Sequence, residues 1–442
     1  MAFIYLSSQS VEVKRVSDAI GFGVFCGNST SAGTRIYQDR PLVSIQHTAN
    51  RRFIKACHNC HIPLGSLREK MATILDESRF THVDLSSLPG DGNPMVNCDC
   101  GELYCSAGCG AEAFKNHHYC LCVSRTGEHG QAISDFKFFC LSVDGCGDNL
   151  LLLAQLLAVA ASKAEGSFVA FESVLNQLLT YTNRPFHEVA RPSTGAQRDD
   201  SWNRWLESTI SEAFELLSCA LAPQSEVFRI FFANKLAAFS ILSRLLSVFE
   251  LNNIDIAIPS SMDEQMKSLH AKGVSILPIV REKEVVMRLL WNDEARGIYE
   301  DEEEEEDVDY ESEEMECVDE DGDCCESHHD EEYVDEMVAA IREEVGQMSI
   351  DDLLASEYPN FHGTGFFGSV ARTNHSCDPN VVMDFDDNNA VVSCKALRDI
   401  EAGEELRMSY IARPESKPRK LRQAQLNDYL FECTCTRCIL DN

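Results

Sequence analysis

The chain has 442 residues, 72 of them acidic and 38 basic, for a formal net charge of −34. That length can bury a large core and is expected to hold two or three domains. No basic stripe appears, which argues against direct nucleic-acid binding, and the longest apolar run, Leu150 to Ala161, contains Gln155 and is too short to span a bilayer. Met1 to Ser10 lacks the basic start and apolar core of a signal peptide, so a soluble intracellular protein is expected. In such a compartment 20 cysteines argue for metal ligation over disulfides.

From the N-terminus, Val11 to Gln46 reads as short strands around Gly21-Phe22-Gly23-Val24-Phe25 and Pro41-Leu42-Val43-Ser44-Ile45. The segment from Cys57 to Cys122 is dense in cysteine and poor in long apolar runs, and must lean on metal for stability. The period then becomes helical. Leu150, Leu153, Leu157 and Ala161 share a face with Asp148 as a plausible cap. Trp202, Trp205, Leu206 and Ile210 form another face, and Phe228 to Phe249 reads as one long apolar helix. These aromatics are read as core packing.

Leu251 to Ile258 turns strand-like, and Met262 to Tyr299 is mixed with helical character. Glu300 to Glu332 holds 21 of the acidic residues and neither Lys nor Arg, so it is expected to be disordered, and the rest of the chain carries −13. A polar helix is expected over Glu336 to Ser356. Strands resume at Gly365, and Val381-Val382-Met383 should pair with Val391-Val392-Ser393 through a turn at Asp386 to Asn389. Lys417 to Leu430 looks helical.

Three signatures carry chemistry: Asn374-His375-Ser376-Cys377 with Asp378-Pro379-Asn380, then Gly403-Glu404-Glu405 leading to Ser409-Tyr410, then Cys433-x-Cys435-x2-Cys438. In that order they resemble the C-terminal half of a SET domain, the fold of lysine methyltransferases that use S-adenosylmethionine. The resemblance implies that Cys377 joins Cys433, Cys435 and Cys438 on one zinc. It places Asn374 and His375 at a pseudoknot crossing against the cofactor. Gly21-Phe22-Gly23 matches the family's glycine motif, although Ile20 stands where members often carry Lys or Arg. Asn252 aligns with a cofactor-contacting Asn. Tyr429 and Phe431 resemble the aromatic pair lining the lysine channel and stacking on adenine, and the resemblance implies that Tyr410 is the catalytic tyrosine, also touching the cofactor.

Upstream, Cys57-x2-Cys60, Cys98-x-Cys100, Cys105-x3-Cys109 and His118-x3-Cys122 resemble a MYND zinc finger. By that pattern one zinc takes Cys57, Cys60, Cys105 and Cys109, and another takes Cys98, Cys100, His118 and Cys122. His117 and Cys120 are near-duplicates that leave the last register open. The whole order resembles the SET and MYND domain (SMYD-type) methyltransferases, in the divergent branch that includes plant trithorax-related members.

The expected fold is therefore α+β. It comprises an N-terminal part of a SET domain (1–56), a MYND-type finger (57–122), a helical insert (123–250), a linked segment (251–299), an acidic insert (300–336), the SET core (337–414) and a post-SET zinc-binding segment (415–442). The resemblance implies S-adenosylmethionine and about three zinc ions as cofactors. It implies a basic protein substrate such as a histone tail, protein partners at the finger, a monomer, and residence in nucleus or cytoplasm. The alternative is a non-catalytic adaptor that recruits partners through its finger.

Overall fold

The computed structural model describes residues 10–17, 20–75, 83–125, 127–143, 145–192, 199–299 and 337–441. The acidic stretch expected to be disordered lies outside them.

Three sheets form the scaffold, and each joins distant parts of the chain. The N-terminal segment supplies β1 (Val11–Ser17), β2 (Gly21–Cys26), β3 (Arg35–Asp39) and β4 (Val43–Gln46). The cysteine-rich segment holds four two-residue strands, β5 (Gly65–Ser66), β6 (Gly92–Asn93), β7 (Val96–Asn97) and β8 (Leu103–Tyr104). After the helices come β9 (Ile254–Ile258), β10 (Phe361–Phe366), β11 (Asn374–His375), β12 (Val381–Asp384), β13 (Val392–Ala396) and β14 (Glu405–Met408). The sheet orders are β1-β2-β14-β11, β4-β10-β9 and β12-β13-β3. Leu406 lies opposite Val24, Gly365 opposite Ser44, and Cys394 opposite Tyr37. Val24, Leu406, Val392 and Cys394 point into one apolar core, so burial and pairing choose the same register. Gly363 is required in β10 because a Cβ there would lie 2.3 Å from the Ile45 carbonyl oxygen.

The helical insert packs as its own core and touches the sheet through Val43, Ile45 and Phe366. The helix over Gly147–Ala164 forms as expected, but Asp148 does not cap it. Its carboxylate instead accepts hydrogen bonds from His47 Nδ1 at 2.6 Å and the Thr48 hydroxyl at 3.1 Å. The single helix expected over Phe228 to Phe249 is two, Glu226–Ala233 and Lys235–Asn252, bent by 100°. Asn234 stands at the break, and its side chain accepts from the Ala237 N–H. Leu251 and Asn252 finish that second helix, so the strand begins at Ile254. The polar helix expected to 356 is also divided, into 337–346 and Ile350–Ala355, because the Ser349 hydroxyl caps the Asp352 N–H. The β12–β13 hairpin forms as expected, with Asn388 left-handed at φ 54°. Lys417 to Leu430 is helical from Arg419 to Leu426, then a short 3-10 turn through Tyr429. Among the described residues no single helix is long and apolar enough to cross a membrane.

Candidate cofactor cleft and zinc centres

Three ligand sets converge: Cys57, Cys60, Cys105 and Cys109; Cys98, Cys100, His118 and Cys122; Cys377, Cys433, Cys435 and Cys438. Within each set the ligand atoms lie within 4.8 Å of one another. Four sulfurs at ~2.3 Å from zinc stand roughly 3.8 Å apart on a tetrahedron. Cys60 and Cys105 sulfurs are 3.7 Å apart, Cys98 and Cys122 3.7 Å, Cys377 and Cys433 3.9 Å, and Cys377 and Cys438 3.5 Å. His118 Nε2 stands 3.4 Å from both Cys98 and Cys100 sulfurs. These separations are far too long for disulfides and fit tetrahedral zinc. The duplicate ligand is accounted for as well. His117 is buried and turns its Nε2 to the Gln155 amide at 3.3 Å, while the Gln155 side-chain oxygen takes the Ser44 N–H. The buried Gln155 thus ties finger, helix and sheet together.

The C-terminal set supports the aromatic wall directly. Tyr410, Tyr429 and Phe431 pack against its cysteines. Arg422, fully buried, reaches the Cys438 sulfur at 3.4 Å and Asp441 at 2.7 Å. His375 couples the metal set to the tyrosine. Its Nδ1 accepts the Tyr410 N–H at 3.0 Å, which leaves the proton on Nε2, 3.3 Å from the Cys377 sulfur. Burial, and then Arg422, pushes His375 down to about 4, so the ring is neutral. The Tyr410 hydroxyl donates to the Thr373 carbonyl at 2.9 Å, and burial pushes its phenol above the ordinary range.

The glycine pair meets this centre. Asn374 Nδ2 donates to the Phe22 carbonyl at 3.1 Å and to Glu405 Oε1 at 2.8 Å. The two glycines differ in kind. Gly21 has φ +82° and open space where a Cβ would sit. A Cβ on Gly23 would meet Glu405 Oε1 at 2.7 Å and Asn374 Nδ2 at 3.1 Å. Gly23 therefore makes room for the Asn374 side chain, and the open surface belongs to Gly21. Ile20 is 55% exposed. A cation reaches the pair from elsewhere: the buried Arg372 guanidinium stands 4.9 Å from the Phe22 ring centre and 3.6 Å from that of Tyr181.

A hollow of about 520 Å³ is lined by Asn252, Asn253, Tyr410 and Tyr429, together with His47, Asp148, Glu250 and Asp255. Asn252 commits its amide to the Thr182 and Val248 carbonyls. Asn253 borders the same hollow with a buried Oδ1 that has no partner. The sequence reading favours Asn252 of the two adjacent asparagines, whereas the helix end ties up the Asn252 amide and leaves the Asn253 oxygen without a partner. Tyr410, Tyr429 and Glu250 also line a second hollow of about 430 Å³, so the two tyrosines stand between the two spaces. Phe431 lies on the His375 side, its ring centre 5.8 Å away.

Sheets that knit the glycine strand to Asn374-His375, with Tyr410 held beside a cysteine cluster, define a SET-domain protein, and residues 264–411 match the SET domain family. That match begins after the finger and helices, while β1 to β4 complete the same sheets from the other end of the chain. Beyond that segment the chain is similar along nearly its whole length to proteins of the SET and MYND branch. It is 23% identical to a protein-lysine N-trimethyltransferase of Gallus gallus, SMYD5, across 97% of its length and 86% of the relative's. It is 22% identical to the histone-lysine N-methyltransferase ATXR2 of Arabidopsis thaliana, across 98% and 90%. A segment of 76 residues, 17% of each chain, is 40% identical to the human histone-lysine N-methyltransferase SMYD3.

Proposed function

We propose that the chain is an S-adenosylmethionine-dependent protein-lysine N-methyltransferase acting on histone or other protein lysines, with a role in chromatin or transcription. The observation that carries this reading is Tyr410. Its ring stands between two hollows, its backbone is held by His375, and its hydroxyl is aimed by Thr373. When bound, S-adenosylmethionine supplies an electrophilic methyl group. Gly21, Phe22, Gly23, Asn374, His375 and Phe431 would hold it, with Arg372 beside Phe22 toward its carboxylate and Asn253 a better-placed partner than Asn252. Tyr429 and Tyr410 would line the lysine channel. Only the neutral amine attacks, so the substrate ammonium must give up a proton before transfer. The Tyr410 phenol acts as a fixed dipole that orients it.

On this reading three zinc ions fill the three ligand sets, the finger serves protein partners, and the protein works as a monomer in nucleus or cytoplasm. The adaptor reading is favoured by one observation, the exposed Ile20 in place of a cation. Titration of S-adenosylmethionine into the zinc-loaded protein separates the two. Micromolar binding that Asn374→Ala abolishes supports the enzyme, and absence of binding to folded, zinc-replete protein rejects it.

A further inference from the structure

His47 and Asp148 form a pair that the scheme above leaves unused. His47 follows β4, and Asp148 sits in the first turn of the Gly147–Ala164 helix. The carboxylate accepts the Nδ1–H of His47 at 2.6 Å and is itself fixed by the Thr48 hydroxyl at 3.1 Å. With Nδ1 engaged, the lone pair of His47 is on Nε2. Both residues line the hollow that Tyr410 and Tyr429 line. Sheet register explains why. Thr364 on β10 lies opposite Asp255 on β9 and Ile45 on β4, and His47 comes two residues after Ile45, on the same face. The His47 side chain is 36% exposed, so it has a route to solvent.

We propose that the His47–Asp148 pair is the proton acceptor for the substrate ammonium, an inference that rests on the methyltransferase reading. The ammonium gives one proton to His47 Nε2, directly or through solvent. The amine lone pair then forms the N–C bond while the S–C bond breaks and its electron pair stays on sulfur. The proton on His47 leaves to solvent, and the methylated ammonium that forms can lose its next proton the same way. A base held by a carboxylate is suited to this. The hydrogen bond that His47 donates to Asp148 raises the His47 pKa, burial opposes it, and Asp255 adds to it. The other titratable groups facing the hollow are Glu250, Tyr410 and Tyr429, and His362 lies two residues before Thr364 on β10.

The test needs no known substrate. Sinefungin carries a cationic amine where S-adenosylmethionine carries its reactive methyl, and S-adenosylhomocysteine carries no charge there. Their affinities for the full zinc-loaded chain are measured between pH 8.5 and 5.5. The affinity ratio of sinefungin to S-adenosylhomocysteine should fall about tenfold as His47 gains its proton, from like-charge repulsion across the hollow. In His47→Gln the ratio should stay flat, and in Asp148→Asn the fall should move to lower pH. Binding of both ligands with the same pH dependence in all three proteins overturns the proton-acceptor role alone. Failure of either ligand to bind folded wild-type protein overturns the methyltransferase reading beneath it as well.

Discussion

Tyr410 donates at opposite ends, N–H to His375 and O–H to Thr373, so its phenol direction is set before any ligand arrives. Tyr410→Phe keeps the ring and the N–H bond but removes the aimed dipole. Methyl transfer, followed with labelled cofactor and protein substrate, is expected to fall at least ~10²-fold, while cofactor binding measured by calorimetry changes little. Asp39 supplies a pH signature. It is buried, accepts the Ser369 N–H at 2.9 Å, and burial pushes it up to about 6 from 3.8. Between those values the folded state keeps a proton that the unfolded chain has released. Its contribution is therefore present below about pH 4 and lost as pH rises through about 6. Asp39→Asn, which still accepts the N–H, should remove that slope from urea midpoints measured across pH 4 to 7. Motif residues such as Asn374 and Cys377 were legible because they sit in short contiguous signatures. Asn253, Arg372 and the His47–Asp148 pair were not, because their meaning arises only when separate strands and helix ends meet.

Helix ends and glycines decide the elements that carry the site. Asn234 stops one helix and starts the next, inside an apolar run that periodicity alone joins into one. Asn234→Ala should cost about 1 kcal/mol, read from the urea midpoint, with no change in the zinc sites. Gly363→Ala places a methyl 2.3 Å from the Ile45 carbonyl and should cost more, since β10 must shift away from β4. Its loss should appear first as increased amide exchange in β4 and β10. The hairpin, the strands around Gly21 and the helical periods were visible from alternation and period, although Trp205, read as core packing, is exposed. The breaks at Asn234 and Ser349 were not, because a polar residue in a helical pattern reads equally as an exposed position or as a cap.

For the whole molecule, zinc is the joint between fold and site. Chelation should unfold the finger and free the C-terminal cysteines, and with them Tyr410, Tyr429 and Phe431, which pack on that cluster. Cofactor affinity should fall in step with zinc loss at the C-terminal set, followed by metal analysis alongside calorimetry. Cys377→Ser should reproduce the loss with the finger zinc still bound. The finger's ligand grouping was legible from spacing and family pattern. How the finger is fastened was not: the Cys60 carbonyl takes the Ala390 N–H, and Gln155 joins His117 to Ser44.

The meeting of β2 with β11 and β14 has a consequence for how the protein is made. Asn374 meets the Phe22 carbonyl across 352 residues of intervening chain. At ~5–20 residues per second, the ribosome needs roughly 20–70 s to deliver the partner after the glycine strand has emerged. For that time β2, β3 and β4 present unpaired edges, the feature that most invites misassociation. The helical insert, which holds a large core of its own, comes off the ribosome in between. Newly made chains arrested after residue 250 should therefore be found with the insert folded and the glycine strand in the grip of a holding chaperone, released only once β14 has arrived.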